Sequence, residues 1–250
     1  LSLGWTGKHE QWRHYTRGYL FFAALATPLV VSVHSVVSWD FALSVVPGWH
    51  STIFAPYFVA GAIHSGLAMV LTLMIPLRKI LRYERIVTMK ILEAVAKTII
   101  FTGLIVGYAY AVEYFLAWYS HNTVEMEAFR WRALGDYSIE FWIMVVCNSV
   151  VPLLFFFKKI RTSIPWLLGI SILINVGMWY ERFVIIIGSV AHGFIPHAWG
   201  LYRPSGIEFG IMIGSFSLFL LLFLLFAKHL PSISMTEMKE TLDHGESHGD

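Results

Sequence analysis

ATPLVVSVHSVVSWDFALSVVPGWH, residues 26–50, decides the fold: it is an apolar run of membrane-spanning length that still carries a histidine and an aspartate. It overlaps an apolar stretch over 18–46, and a spanning helix needs about 20 mostly apolar residues. Asp40 is costly inside such a helix, at about 2.5–3.5 kcal/mol near the bilayer centre and less toward the interface. An intramembrane carboxylate is therefore a functional candidate by default. His34 precedes it by six residues, which sets the two about 240° apart around a helix and about 9 Å apart along it. They do not share a face, so this helix alone does not offer two adjacent ligands to one metal. Pro28, upstream of His34, removes a backbone hydrogen bond and bends a helix, which opens room for polar groups.

Working outward, five more stretches have the length and apolarity to span: 52–77, 92–118, 138–157, 163–190 and 206–227. The expected fold is all-α and transmembrane, with six membrane helices. Composition agrees, with 57% hydrophobic and 14% charged residues, where a soluble domain carries roughly 25% charge. Mean hydropathy is +0.65. Cys147, inside an apolar run, is the single cysteine, which excludes intrachain disulfides and thiolate metal clusters. The formal charge of +2, spread over several loops, speaks against nucleic acid as a partner.

Thirteen of the eighteen Lys and Arg residues fall on one side of the expected spans, at positions such as Arg78, Arg85, Lys158 and Lys228. Only Arg130, Arg132 and Arg203 fall on the other side, and this bias places both termini in the cytoplasm. Asp40 then lies toward the outer end of its helix, and the segments 47–51, 119–137 and 191–205 face outward. Trp49, Phe194, Pro196, Trp199 and Tyr202 in these outer segments suit either interfacial anchoring or docking of a peripheral subunit. The chain starts at Leu1 without a signal-peptide pattern, which suggests a fragment. The polar tail 228–250 shows no periodic apolar face and reads as disordered.

The remaining helices carry further polar groups. His64 sits among Gly61, Ser65 and Gly66, where small residues let helices approach closely, so it is either a packing histidine or a protonatable station. Lys97 and Glu113 share one helix but lie sixteen residues apart, about 24 Å along it, and do not pair. Lys97 is expected to snorkel to the cytoplasmic surface. Glu113 must face protein or water, with Tyr108 and Tyr110 nearby. Asn148 and Pro152 share the fourth stretch. Glu181 and Arg182 are neighbours about 100° apart and are expected to pair with different helices, either to fix register or with Arg182 tuning Glu181 in a proton chain. Glu140 and Glu208, at outer helix ends, are expected to reach water. Such a set of protonatable groups marks an ion or proton pathway.

The wording of the chain is also distinctive: LATPLVVSVHSVVSWDFALSVVPGWHSTIFAPYFVAGAIHSGLAMV (25–70), KTIIFTGLIVGYAYAVEYFLAWYS (97–120), CNSVVPLLFFFKKIR (147–161), NVGMWYERFVI (175–185) and FLLFAKHLP (223–231). Over residues 1 to about 235 it resembles the NrfD/PsrC family of membrane subunits, most closely the ActC branch of alternative complex III. That resemblance implies a ten-helix protein of two four-helix bundles with peripheral helices, of which this chain is similar to the C-terminal part. Residues 1–46 would then comprise a cytoplasmic segment and the helix closing the first bundle on the quinol side. Residues 47–190 would form the second bundle with a proton path, 191–227 an outer loop and peripheral helix, and 228–250 the cytoplasmic tail.

The resemblance further implies that a membrane quinol, menaquinol or ubiquinol, is oxidised at Asp40, His34 and Trp39, with Asp40 accepting a proton or hydrogen bond. Electrons would pass to an external iron–sulfur subunit and then to c-type haem subunits, beside a homologous ActF-like membrane subunit and a terminal oxidase. No redox cofactor is expected in this chain itself. His64, Tyr108, Glu113, Asn148, Glu181 and Arg182 would line the proton path, in a bacterial cytoplasmic membrane. Two rivals stay open from the residues alone. His34 and His64, at similar depth on successive antiparallel helices, would suit a haem, and intramembrane Glu, Arg and Asn also serve transporters.

Overall fold

The computed structural model describes residues 4–195, 197 and 199–230. Among the described residues the structure is helical without strands, and one compact unit runs to Gly200 while a second begins at Leu201. The first contains α1 (His9–Ala42), α2 (Phe54–Ile80), α3 (Met89–Tyr119), α4 (Thr123–Leu134), α5 (Ser138–Val145), α6 (Lys158–Arg161) and α7 (Ile164–Phe183). The second contains α8 (Gly206–His229). Six helical segments are long and apolar enough to cross a membrane, so the chain is a multi-pass membrane protein.

The six expected spans are all present, but their bounds and regularity differ. The first begins at His9 and ends at Ala42, because Leu43–Val46 leave the helix for a turn around Gly48, whose φ is +78°. The fourth continues from α5 through a π-helical turn, Val146–Val150, into a 3₁₀ segment, Val151–Phe156. Pro152 explains the irregularity, since it has no N–H for the carbonyl four residues earlier and its ring crowds that carbonyl. A second π turn, Val184–Gly188, extends α7. Such turns interrupt the regular ladder and recur at functional sites.

The expected outer loop 119–137 instead contains α4, whose N-cap Asn122 accepts hydrogen bonds from the backbone N–H groups of Val124 and Glu125 at 3.1 and 3.4 Å. Its inward face buries Ala128, Phe129 and Arg132. Glu208 is exposed to water and also completes the α8 cap, accepting from Tyr202 at 2.7 Å and from the Ser205 backbone at 2.5 Å. The expected disorder of 228–250 falls mostly on 231–250, outside the described residues.

Helices α2, α3, α5 with its extension, and α7 pack as a bundle around two apolar cores. One, around Leu71, Ile99, Phe155 and Ile174, fills the end near the basic loops; the other, around Phe54, Val106, Phe141 and Val184, fills the end under α4. Gly177 lets α7 meet α5's extension, because a Cβ there would collide with Asn148 Oδ1 and come within 2.6 Å of Cys147 Cβ. α1 packs on α2 but leaves nearly all of its apolar surface outside.

Candidate functional site

Between the two apolar cores the bundle holds polar side chains that lipid would not tolerate. On α2, Tyr57, Gly61 and His64 fall four and three residues apart and so share one face. On α3, Thr102, Gly103, Val106, Tyr110 and Glu113 do the same. Asn148 is turned inward within the π turn after α5, and Glu181 lies one turn before the π turn of α7. Each of the four spans thus delivers a polar group to the interior.

The densest contact is at Glu181, 1% exposed. The Tyr110 hydroxyl donates to Glu181 Oε2 at 2.5 Å, and Asn148 Nδ2 donates to the Tyr110 oxygen at 2.9 Å and to Glu181 Oε2 at 3.4 Å. Tyr57 joins the same group through its hydroxyl and stacks edge-on against Tyr110 with ring centroids 5.7 Å apart. Arg182 reaches Glu181 Oε1 at 3.6 Å and lies over the Phe58 ring at 4.7 Å. The expectation that these neighbours pair only with other helices is therefore corrected. Arg182 is long enough to fold back from its own face while its guanidinium stays partly exposed.

Toward the basic end, His64 Nδ1 lies 2.9 Å from Thr102 Oγ1. The Thr102 hydroxyl donates to its own helix, at Thr98 or Ile99, so in the neutral ring it accepts from Nδ1–H and leaves Nε2 a free acceptor. His64 Nε2 is buried without a partner, as are Asn148 Oδ1 and Glu113 Oε1. Tyr110 is eight residues beyond Thr102, so the His64 pair and the Glu181 cluster are separated by about 12 Å along α3. No hydrogen bond among the described residues bridges that interval. Beyond His64, Asn175 donates to Thr72 Oγ1 at 2.9 Å.

Toward the other end, Glu113 lies one turn past Tyr110, and α4 brings Arg132 over the bundle. Arg132 donates to Ser189 Oγ and to the Gly48 carbonyl at 3.4 Å, which ties α4, the α1–α2 turn and the end of α7 together. Gly48 is required twice there, by its positive φ and because a Cβ would collide with the guanidinium. Burial pulls the Arg132 pKa below the ordinary arginine value, while Glu113 opposes that shift. His192 is sandwiched between Trp131 and Trp199, at centroid distances of 4.2 and 3.6 Å, with both ring nitrogens buried and unpartnered. Burial holds its pKa below 6.5.

The structure places His64, Glu113, Asn148 and Glu181 of the expected path inside the bundle at successive depths, with Arg182 partly exposed beside Glu181. It does not bring Tyr108 with them, since that side chain is 65% exposed on the outside of α3, and the tyrosines at Glu181 are Tyr57 and Tyr110. Glu140 does not reach water with both oxygens, because its Oε2 is buried. Asp40 and Trp39 are exposed on α1, and the His34 ring bonds the Val30 carbonyl at 2.8 Å. His34 is turned to its own helix, while His64 is buried on α2 against Thr102 and Gly103. Among the described residues no three His, Cys, Asp or Glu side chains converge as a metal would need. Sequence alone does not single out Tyr57, Thr102, Arg132, Ser189 or His192. Of these only Arg132 has a readable signal, the Asn122 and Glu125 capping pattern that starts α4 and places Arg132 within it.

Comparison with known proteins adds two findings. The family described as Polysulphide reductase, NrfD, matches residues 3–192. A putative dimethyl sulfoxide reductase membrane subunit of Halobacterium salinarum is 26% identical over 254 residues, which cover 92% of this chain and 58% of that protein. The chain therefore spans somewhat over half the length of that curated relative.

Proposed function

We propose, from the premise that this chain belongs to the NrfD family, that it is the quinol-facing and proton-conducting part of an oxidoreductase membrane subunit of the alternative complex III type. The observation that carries this reading is the Tyr57–Tyr110–Asn148–Glu181 cluster, a carboxylate enclosed by hydroxyl and amide donors in a membrane bundle. A structural glue needs one acceptor for one donor. Here the acid has several partners, and unpartnered acceptors stand on either side of it at Glu113 and His64. That pattern suits a group that takes up a proton from one side and releases it to the other.

The quinol face is α1. Asp40 and Trp39 stand on a surface that no described residue covers, close in sequence to the outer turn, with His34 lower on the same helix. A quinol gives up two protons as it gives up two electrons. Asp40 takes a proton from the quinol hydroxyl, and His34 and Trp39 orient the ring. The electrons leave for an iron–sulfur cluster held by an external partner and continue to c-type haems, with no redox group of this chain on the route. In this reading α1 closes the first of two four-helix bundles of a ten-helix protein, and α2, α3, α5 with its extension, and α7 form the second. An ActF-like membrane subunit and a terminal oxidase complete the assembly in a bacterial cytoplasmic membrane, with the termini of this segment on the cytoplasmic side.

Within the bundle, the interval between His64 and the Glu181 cluster requires water or side-chain motion, and Arg132 and Ser189 close the outer end. A quinol analogue bound by the intact complex tests the α1 assignment. Asp40→Asn should abolish binding while the melting temperature stays put, and unchanged binding would contradict it.

A further inference from the structure

The π turn that extends α7, Val184–Gly188, lies between two pinned side chains. Glu181, before it, is held by Tyr110 and Asn148, and Ser189, after it, is held by Arg132; both are buried. Eight residues at about 100° each would set Glu181 and Ser189 about 80° apart around a regular helix. A π turn closes one residue later than an α turn and so takes up about 100°, which brings the two within about 20° of one face. Ile186, inside the turn, stands exposed on the outside. Both sets of partners are therefore satisfied together only while the wide turn persists.

The π geometry is rare by itself, so contacts from outside the helix have to hold it. One of them comes from the α1–α2 turn, where Trp49 Nε1 donates to the Ile185 carbonyl at 2.7 Å. Interfacial anchoring, one expectation for Trp49, leaves the indole N–H to headgroups and water; here it is committed to a carbonyl inside the π turn. The half-buried indole packs edge-on against Phe41, with ring centroids 4.8 Å apart. Phe41 follows Asp40 directly and meets Phe58 at 5.6 Å, and the Arg182 guanidinium covers Phe58. The end of α1 thus reaches the surroundings of Glu181 by two routes, through Phe58 to Arg182 and through Trp49 to the π turn.

We infer that Trp49 is a positioning residue for Glu181: it latches the π turn of α7 and carries the position of the α1 end to the rotational setting of that carboxylate. The latch stands on the contacts alone. Its use, in which a quinol at Asp40 shifts α1, loosens the turn and lets Glu181 rotate away from Tyr110, rests on the function proposed above.

Backbone hydrogen exchange across the π turn, followed by mass spectrometry on the intact complex, tests the latch without reference to activity. Trp49→Phe keeps a ring against Phe41 and removes the donor, so exchange in the turn should rise about tenfold, as for one lost hydrogen bond, with α3 unchanged. Deletion of Ile186 in the same variant takes out the residue that the wide turn accommodates. Seven residues then part Glu181 from Ser189, about 20° short of two full turns, and protection should return without the tryptophan. A ring that only fills space is not rescued by shortening another helix. Exchange unchanged in Trp49→Phe, or raised and not restored by the deletion, would overturn the latch. In sealed vesicles Trp49→Phe should lower the protons moved per quinol while quinol oxidation continues, and the deletion should leave that ratio low, because a regular helix no longer answers to α1. A wild-type ratio in Trp49→Phe beside a lowered one in Glu181→Gln, or a ratio restored together with protection, would overturn the link to α1. A wild-type ratio in Glu181→Gln itself would count against the proton path, and exchange alone then decides the latch.

Discussion

α1 and the α2–α7 bundle carry similar polar residues and treat them oppositely. Asp40 and Trp39 point away from the described structure, whereas Glu181, Asn148 and Tyr110 point into it and bond one another. The carboxylate is thus left exposed on one helix, where the proposed function puts the quinol, and is locked among side chains in the other four. The difference teaches where each variant should fail: on α1 a change should alter ligand handling and spare the fold, and in the bundle it should alter both.

Asp40→Asn breaks the comparison most severely. Asp40 has no hydrogen-bond partner among the described residues, so quinol oxidation by the intact complex should fall by about a hundredfold, in the range of a lost general base, with stability unchanged within about 0.5 kcal/mol. A thermal scan beside steady-state turnover checks both halves. Arg132→Met comes next. It removes donors from Ser189 and Gly48 and leaves Glu113 without its cation, so unfolding in detergent should be easier by about 3 kcal/mol.

His192 sharpens the comparison through pH. Its folded pKa lies below 6.5 because of burial, so the unfolded chain binds the proton first as pH falls. The stability contributed by the Trp131–His192–Trp199 stack is complete above about 6.5 and is lost as pH drops below that value. His192→Phe should flatten that dependence, read by tryptophan fluorescence during melting. Tyr108→Phe sits at the small end. Its ring faces outward, so proton transfer and stability should both stay within about 0.5 kcal/mol of wild type.

Legibility in the sequence follows cost. Asp40, Glu113, Glu181 and His64 stand out because a titratable side chain in an apolar run demands an account, and the spans themselves follow from length and apolarity. Tyr57, Tyr110 and Thr102 give little signal, since a hydroxyl or phenol in a membrane helix is cheap and common. Tyr108 and Tyr110 are alike to a one-dimensional reading and differ by about 200° around the helix, which sends one to lipid and the other to Glu181. Arg132 reads as a loop charge until α4 is recognised, although the Asn122 cap and the spacing of Ala128, Phe129 and Arg132 fit a short amphipathic helix. The π turn at Val146–Val150 is prepared by Pro152 and packs against Gly177, whereas no local pattern announces the one at Val184–Gly188.

The division of labour between α1 and the bundle is tested most directly by the proton-to-quinol ratio of the intact complex in sealed vesicles, wild type against Glu181→Gln. The amide keeps the size and an acceptor for Tyr110, but it neither holds nor releases a proton. Quinol oxidation should continue near the wild-type rate while protons moved per quinol fall to those released at the quinol itself. A ratio equal to wild type in Glu181→Gln would contradict a proton path through this bundle.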